Sequence, residues 1–159
     1  MIACSVRDSD AAVTLLLQKG ADVNLTNNAG QTALHFCASK NNLDVARILV
    51  KEHKASVRVR DRRGQLPLHR AAAIGSVPML RLLVENRSPV NTGDVDGFTG
   101  LHHAISEGHG DAAVFLLSQG AEWGKKDVEG RVAIELAPDA KVRAYVLQCA
   151  EREGIESPE

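Results

Sequence analysis

Apolar positions recur along this chain in a fixed order. A short Leu/Ala-bearing segment is followed by a tight turn, a longer apolar stripe and a polar stretch punctuated by glycine. In Leu43-Val45-Ala46-Ile48-Leu49 the stripe has the spacing of a helix buried along one side. The segment before it opens at Thr32, a candidate N-cap, with Leu34 and Ala38 facing inward. Pro67 and Pro78 fall at the starts of the next two predicted helices, where a missing N–H costs nothing. Leu101, Ala104, Ala113, Val114, Leu116 and Leu117 repeat the pattern. Val132, Ile134, Leu136 and Ala137 begin it again before Pro138 and a polar helix predicted over Lys141–Gln148.

Asp61–Gly75 aligns with Asn27–Asn41, Asp94–Gly108 and Asp127–Ala137. Gly30, Gly64, Gly97 and Gly130 then stand in register, with spacings of 34, 33 and 33. The longer spacing is assigned to Glu52-His53-Lys54, which replaces a short Gly turn. This period, with its T-P-L-H-x-A-like core, resembles the ankyrin repeat, a turn plus two antiparallel helices. The resemblance implies an all-α ankyrin-repeat solenoid with β-turn fingers.

One domain is expected over residues 1–150: a partial repeat at 1–26, repeats at 27–60, 61–93 and 94–126, and a C-terminal capping repeat at 127–150. Residues 151–159 are expected to be a disordered tail. Ile2–Val6 aligns with Phe36–Lys40 and Arg70–Ile74, so the pattern begins in mid-repeat. A fragment, a truncated gene model or a shortened isoform is the expectation, with a first half-repeat that frays.

Composition narrows the function. At 44% hydrophobic and only 3% aromatic, burial must come from Ala, Leu, Val and Ile, as thin helical layers require. A net charge of −1 argues against nucleic-acid or membrane partners, and no apolar run approaches the ~20 residues of a membrane span. A monomer is expected. Cys4, Cys37 and Cys149 are scattered and odd in number, so reduced thiols in the cytosol or nucleus are expected.

His35, His69 and His102 close the T-P-L-H units. Spaced one per layer, about 10 Å apart by helix packing, they are too distant to share a metal bonded at about 2 Å. Their expected role is to bond backbone groups of a neighbouring turn. No phosphate loop or nucleophile elbow is present, so no cofactor and no enzymatic activity are expected.

The informative residues are those the repeat leaves unspecified. Turn tips and first-helix faces are expected to line a concave groove, among them Ser5, Val6, Gln65, Val95, Asp96 and His103. From Lys51 to Arg70 there are seven basic residues against two acidic ones. Arg62, Arg63 and Arg70 are predicted to face the groove, with Lys40 beside them, a solvent-facing Phe98 next along, and Glu107 further on. Arg with an exposed aromatic is the composition of a protein-binding hot spot.

Three segments, Ala38–Val50, Leu66–Val84 and Ser106–Glu122, are similar to the gankyrin family, the ankyrin-repeat assembly chaperones of the 26S proteasome. Lys40, Arg70 and the EGHGDAAV run lie outside the repeat consensus and give the likeness its specificity. The chain looks like a fungal member holding the back half of the third repeat and the fourth to seventh.

The resemblance implies a scaffold whose concave face clasps the C-terminal domain of one ATPase subunit of the proteasome regulatory particle. Lys40 and Arg70 would pair with acidic residues there, with Arg62, Arg63 and Phe98 as neighbours. No retinoblastoma-type binding is implied, because His103-Ala104-Ile105-Ser106-Glu107 lacks both Leu and Cys of the L-x-C-x-E motif. The alternatives are a generic ankyrin module for another protein or a regulatory piece of a larger multidomain protein. Lys40 and Arg70 exposed on one face would favour the proteasome reading.

Overall fold

The computed structural model describes residues 15–158. The expectations for Ile2–Val6, Cys4 and the start of the first outer helix lie outside those residues. Past helical residues 15–18, the repeats supply three inner helices: α1 (Ala33–Lys40), α3 (Pro67–Ile74) and α5 (Gly100–Ser106). Each is followed by an outer helix: α2 (Leu43–Arg47), α4 (Val77–Glu85) and α6 (Gly110–Ser118). A 3-10 turn at Ala133–Leu136 and α7 (Ala140–Arg152) complete the array. Inner helices pack on one another more extensively than outer ones, as on the concave side of an ankyrin-type stack. The core is one continuous apolar cluster from Leu34 to Ala150, built mostly of Leu and Ala. An all-α ankyrin-type solenoid is what forms.

Two hydrogen-bond devices hold the layers in register. In the first, a histidine ring bonds at both nitrogens. His35 Nδ1 accepts from the Thr32 N–H at 3.0 Å, and Nε2 meets the Gln65 carbonyl of the next repeat at 2.9 Å. His69 Nδ1 likewise accepts from the Leu66 N–H (2.9 Å), but its Nε2 meets the Thr92 carbonyl (2.9 Å) in the loop just ahead of the next finger. His102 bonds as His35 does, between the Thr99 N–H (3.2 Å) and the Arg131 carbonyl (3.2 Å). An accepting Nδ1 requires the neutral Nε2–H tautomer. At the equivalent position of the last repeat stands Glu135, whose Oε2 accepts the Val132 N–H at 2.8 Å. A carboxylate can cap the turn but has no ring N–H for a further carbonyl.

In the second device, the first residue of each finger folds the finger around its side chain. Asp61 Oδ1 accepts from the N–H groups of Arg63 and Gln65, Asp94 Oδ1 from Asp96 and Phe98, and Asp127 Oδ1 from Glu129 and Arg131, at 2.9–3.0 Å. Asn27 serves its own finger likewise. Backbone bonds then join the fingers: Arg62 N–H to Ala29 O, Val95 N–H to Arg63 O, and Val128 N–H to Asp96 O, at 2.9–3.0 Å. The approach is close enough to need glycine: a Cβ on Gly97, at φ +77°, would sit 2.9 Å from the Asp127 Cα.

These environments set the protonation states. Burial pushes His35, His69 and His102 below the ordinary histidine range, His69 to about 4, against the opposing pull of the carbonyls they bond. Burial pushes the Asp61, Asp94 and Asp127 carboxyls up. Their backbone and side-chain hydrogen bonds outweigh it, so all three end below the usual carboxylate range.

Three details differ from the sequence expectation. The extra residue of the second repeat is absorbed by a π-helical turn at Ile48–Glu52. Its closing bond, Ala55 N–H to Leu49 O, spans one residue more than Ser88 N–H to Leu83 O or Ala121 N–H to Leu116 O. The last first-helix shrinks to a 3-10 turn ahead of Pro138. The final helix starts at Ala140 behind the Asp139 N-cap, and it continues past Gln148 to Arg152 because Val146 and Ala150 are buried against the core. Ile155 also packs on the core.

Between pH 6.5 and 4 the unfolded chain binds protons on histidines that the folded chain holds neutral, so stability falls as pH falls through that window. For His69 alone the effect is on the order of 3 kcal/mol. Below the carboxylate range the three aspartates add further loss, since their folded values are depressed. Thermal melts should therefore show Tm dropping steadily from pH 7 to pH 4; a flat Tm would contradict the buried neutral rungs. For the fingers, Gly130→Ala should cost about 1 kcal/mol for its left-handed backbone alone, because nothing lies within 4 Å of its Cβ position. Gly97→Ala should cost at least about 1 kcal/mol more in chemical denaturation. Equal costs would mean that the finger-to-finger contact is loose.

Candidate protein-binding face

Equivalent positions of successive repeats form ranks along the concave side. The fingertips present Asn28-Ala29, then Arg62-Arg63, Val95-Asp96 and Val128-Glu129. The C-terminal ends of the inner helices present Lys40, Ile74 and Glu107. The helix-end rank passes from basic through apolar to acidic in the direction of the chain. The fingertip rank goes from a neutral first tip to the arginine pair, and then to a valine beside an acidic residue in each of the last two tips. Val95 and Val128 are 61% and 71% exposed, high for valines in register on neighbouring fingers. The net charge of −1 conceals this polarity entirely.

The sequence-predicted residues distribute unevenly over this surface. Lys40, Arg62 and Arg63 are exposed, and none forms an ion pair among the described residues. Glu107 is exposed as the C-cap of α5. Arg70 does not stand free as the groove assignment implied. Its Nη2 lies 2.7 Å from Oδ2 of Asp61, a carboxylate only 2% exposed, and its Nη1 reaches Ser39 Oγ at 3.5 Å. The buried carboxylate needs a cation, and the inner helix delivers Arg70 to it.

Phe98 is likewise not solvent-facing. It is half-buried, stacked on His102 with ring centroids 5.4 Å apart and edge-on to His103 at 5.3 Å. As the last finger residue it precedes the Thr99 N-cap, so its ring folds onto the imidazoles of the helix that follows. Gln65 and His103, also placed in the groove by the repeat frame, converge on Asp94 Oδ2 at 3.2 and 2.9 Å. The face thus consists of exposed tip charges and valines over a layer of half-buried groups tied to one another.

Sequence reasoning missed the aspartates beneath the face. The signal was present as an offset of nine residues. Asp61 pairs with Arg70 and Asp94 with His103, while Asn27, which carries no charge, stands nine before the apolar Phe36. A charged finger base goes with a cationic or imidazole partner, and a neutral base with neither. Asp127 takes its cation from within its own finger, with Arg131 Nη2 at 2.8 Å and Nε at 2.9 Å.

Comparison with known proteins agrees with this architecture. The chain matches the family described as Ankyrin repeats (3 copies) over residues 1–92 and 53–127. It is 40% identical over 148 residues to a Saccharomyces cerevisiae protein named Probable 26S proteasome regulatory subunit p28, covering 92% of this chain and 65% of that protein. It is 38% identical over 142 residues to the Schizosaccharomyces pombe Ankyrin repeat-containing protein C6C3.08, covering 89% of this chain and 61% of that one. The chain therefore spans somewhat less than two thirds of the length of these relatives. The likeness to the p28 protein supports the gankyrin-type resemblance, and the matched repeats with their stacked helix pairs make this chain a member of the ankyrin-repeat family.

Proposed function

We propose that this protein is a non-enzymatic scaffold that assists assembly of the proteasome regulatory particle by binding the C-terminal domain of one ATPase subunit across its concave face. The observation that carries the proposal is the basic end of that face. Lys40, Arg62 and Arg63 are exposed cations with no carboxylate within ion-pair distance among the described residues, so an acidic partner surface meets them without breaking an internal pair. Val95 and Val128 offer apolar contact next along, and the acidic residues beside them, Asp96 and Glu129, together with Glu107 set the opposite polarity. Such an arrangement gives register and association rate more than raw affinity. The cytosol and nucleus are the compartments this role requires.

Arg70 has a different part. Clamped by Asp61, it presents a fixed guanidinium edge and a nearly compensated charge, so it shapes the face and contributes little attraction. That internal pairing is also the observation that favours the second reading, an ankyrin module for another acidic protein partner.

Calorimetry of the chain with the isolated ATPase C-terminal domain should give micromolar binding, about −8 kcal/mol, with marked salt dependence. Arg62→Glu/Arg63→Glu should weaken it by about tenfold or more and flatten the salt dependence. Arg70→Gln should lower Tm more than it lowers affinity. Unchanged binding by the Arg62/Arg63 variant would remove the basic end from the interface, and no binding by the parent chain would favour a different partner.

A further inference from the structure

The basic run from Lys51 to Arg70 is not exhausted by the fingertips. A cavity of about 360 Å³ opens between the turns that close α2 and α4, and Lys54, Arg58, Asn86 and Arg87 surround it over the buried Val50 and Val57. Lys54, Arg58 and Arg87 are exposed, and none has an acidic partner within 4.0 Å among the described residues.

Two of these cations occupy a position that the fold otherwise gives to glycine. The residue ending each outer helix is left-handed: Gly20 at φ +88°, Lys54 at +56°, Arg87 at +69°, Gly120 at +94° and Gly154 at +73°. Glycine takes this conformation freely, whereas a side chain adds strain there. Only in the two repeats that flank the cavity is the glycine replaced, and in both the replacement is a long cation. Backbone strain accepted twice to bring unpaired positive charge to one cavity is the pattern of a ligand site.

We propose that Lys54, Arg58 and Arg87 form a phosphate-binding pocket for a phosphorylated serine or threonine side chain of a protein partner. A phosphate dianion matches the forked donors of two arginines and the point charge of a lysine, with the Asn86 amide as a neutral donor. The apolar floor of Val50 and Val57 suits a peptide segment. The site is compact, with three cations around one cavity, and so differs from the extended basic track that a nucleic-acid or membrane surface requires. The pocket is separate from the fingertip face and stands whether or not the ATPase reading does.

Amide chemical shifts of the chain, followed while adding a short alanine-flanked phosphoserine peptide, test it directly. Saturable shifts should centre on Lys54, Arg58 and Arg87. They should be absent with the serine peptide and require about tenfold more sulfate to reproduce. Lys54→Gly/Arg87→Gly should abolish the response while holding or raising Tm, since glycine relieves the backbone. A response that survives in that variant, fails to saturate or lies elsewhere would overturn the proposal. So would a single-stranded oligonucleotide or phosphatidylserine vesicles that move the same amides at lower concentration than the phosphopeptide.

Discussion

The imidazole rung between layers is the interaction on which the other features rest. Each ring accepts from the turn that starts its own helix and donates to a carbonyl further along, in the next finger for His35 and His102 and in the loop leading to it for His69. This fixes the tautomer and ties each inner helix to the segment beyond it. Burial of the ring makes the arrangement one of neutral hydrogen bonds in an apolar setting, where an unmade bond is expensive. The finger aspartates complete the lattice, because each finger is wound on a buried carboxylate and linked to its neighbour through backbone bonds. Rigid layers of this kind turn single repeat positions into continuous ranks of side chains.

Those ranks explain how a protein with almost no net charge acquires a directional surface. The carboxylates under the fingers spend Arg70, His103 and Arg131 internally. What remains for a partner is the outermost layer: Lys40, Arg62 and Arg63 towards one end, then exposed valines beside acidic residues. Under the proposed function, association depends on matched polarity, with half-buried groups such as Phe98 stiffening the support. A second charge pattern, at Lys54 and Arg87, arises from the same repetition: a departure from glycine is visible only because the equivalent positions keep it.

Much of this was legible in the sequence. The glycine period set the repeat, and the placements of Thr32, Pro67 and Pro78 follow from local backbone chemistry alone. The rung role of His35, His69 and His102 was readable because a recurrent polar residue in an apolar frame needs a recurrent partner. What was not legible depends on contacts between positions. Pairing of Arg70 with Asp61 and the folding-down of Phe98 are both decided by which group lies nearest once the layers stack. The π-helical turn at Ile48–Glu52 is a choice between two ways of storing one extra residue, and the spacing of 34 is compatible with either. The extent of α7 was underestimated because Val146 and Ala150 look isolated until the core they meet is known.

Under the proposed function, the basic end of the fingertip and helix-end ranks meets acidic side chains of the ATPase C-terminal domain. Zero-length carbodiimide coupling of the two proteins, followed by mass spectrometry, reads it most directly, since only a lysine in contact with a carboxylate forms the amide. Lys40, exposed at the end of α1, should be the dominant lysine joined to the ATPase domain. Coupling confined to Lys125, Lys126 or Lys141, with Lys40 unreacted, would place the partner at the other end of the array and contradict the account.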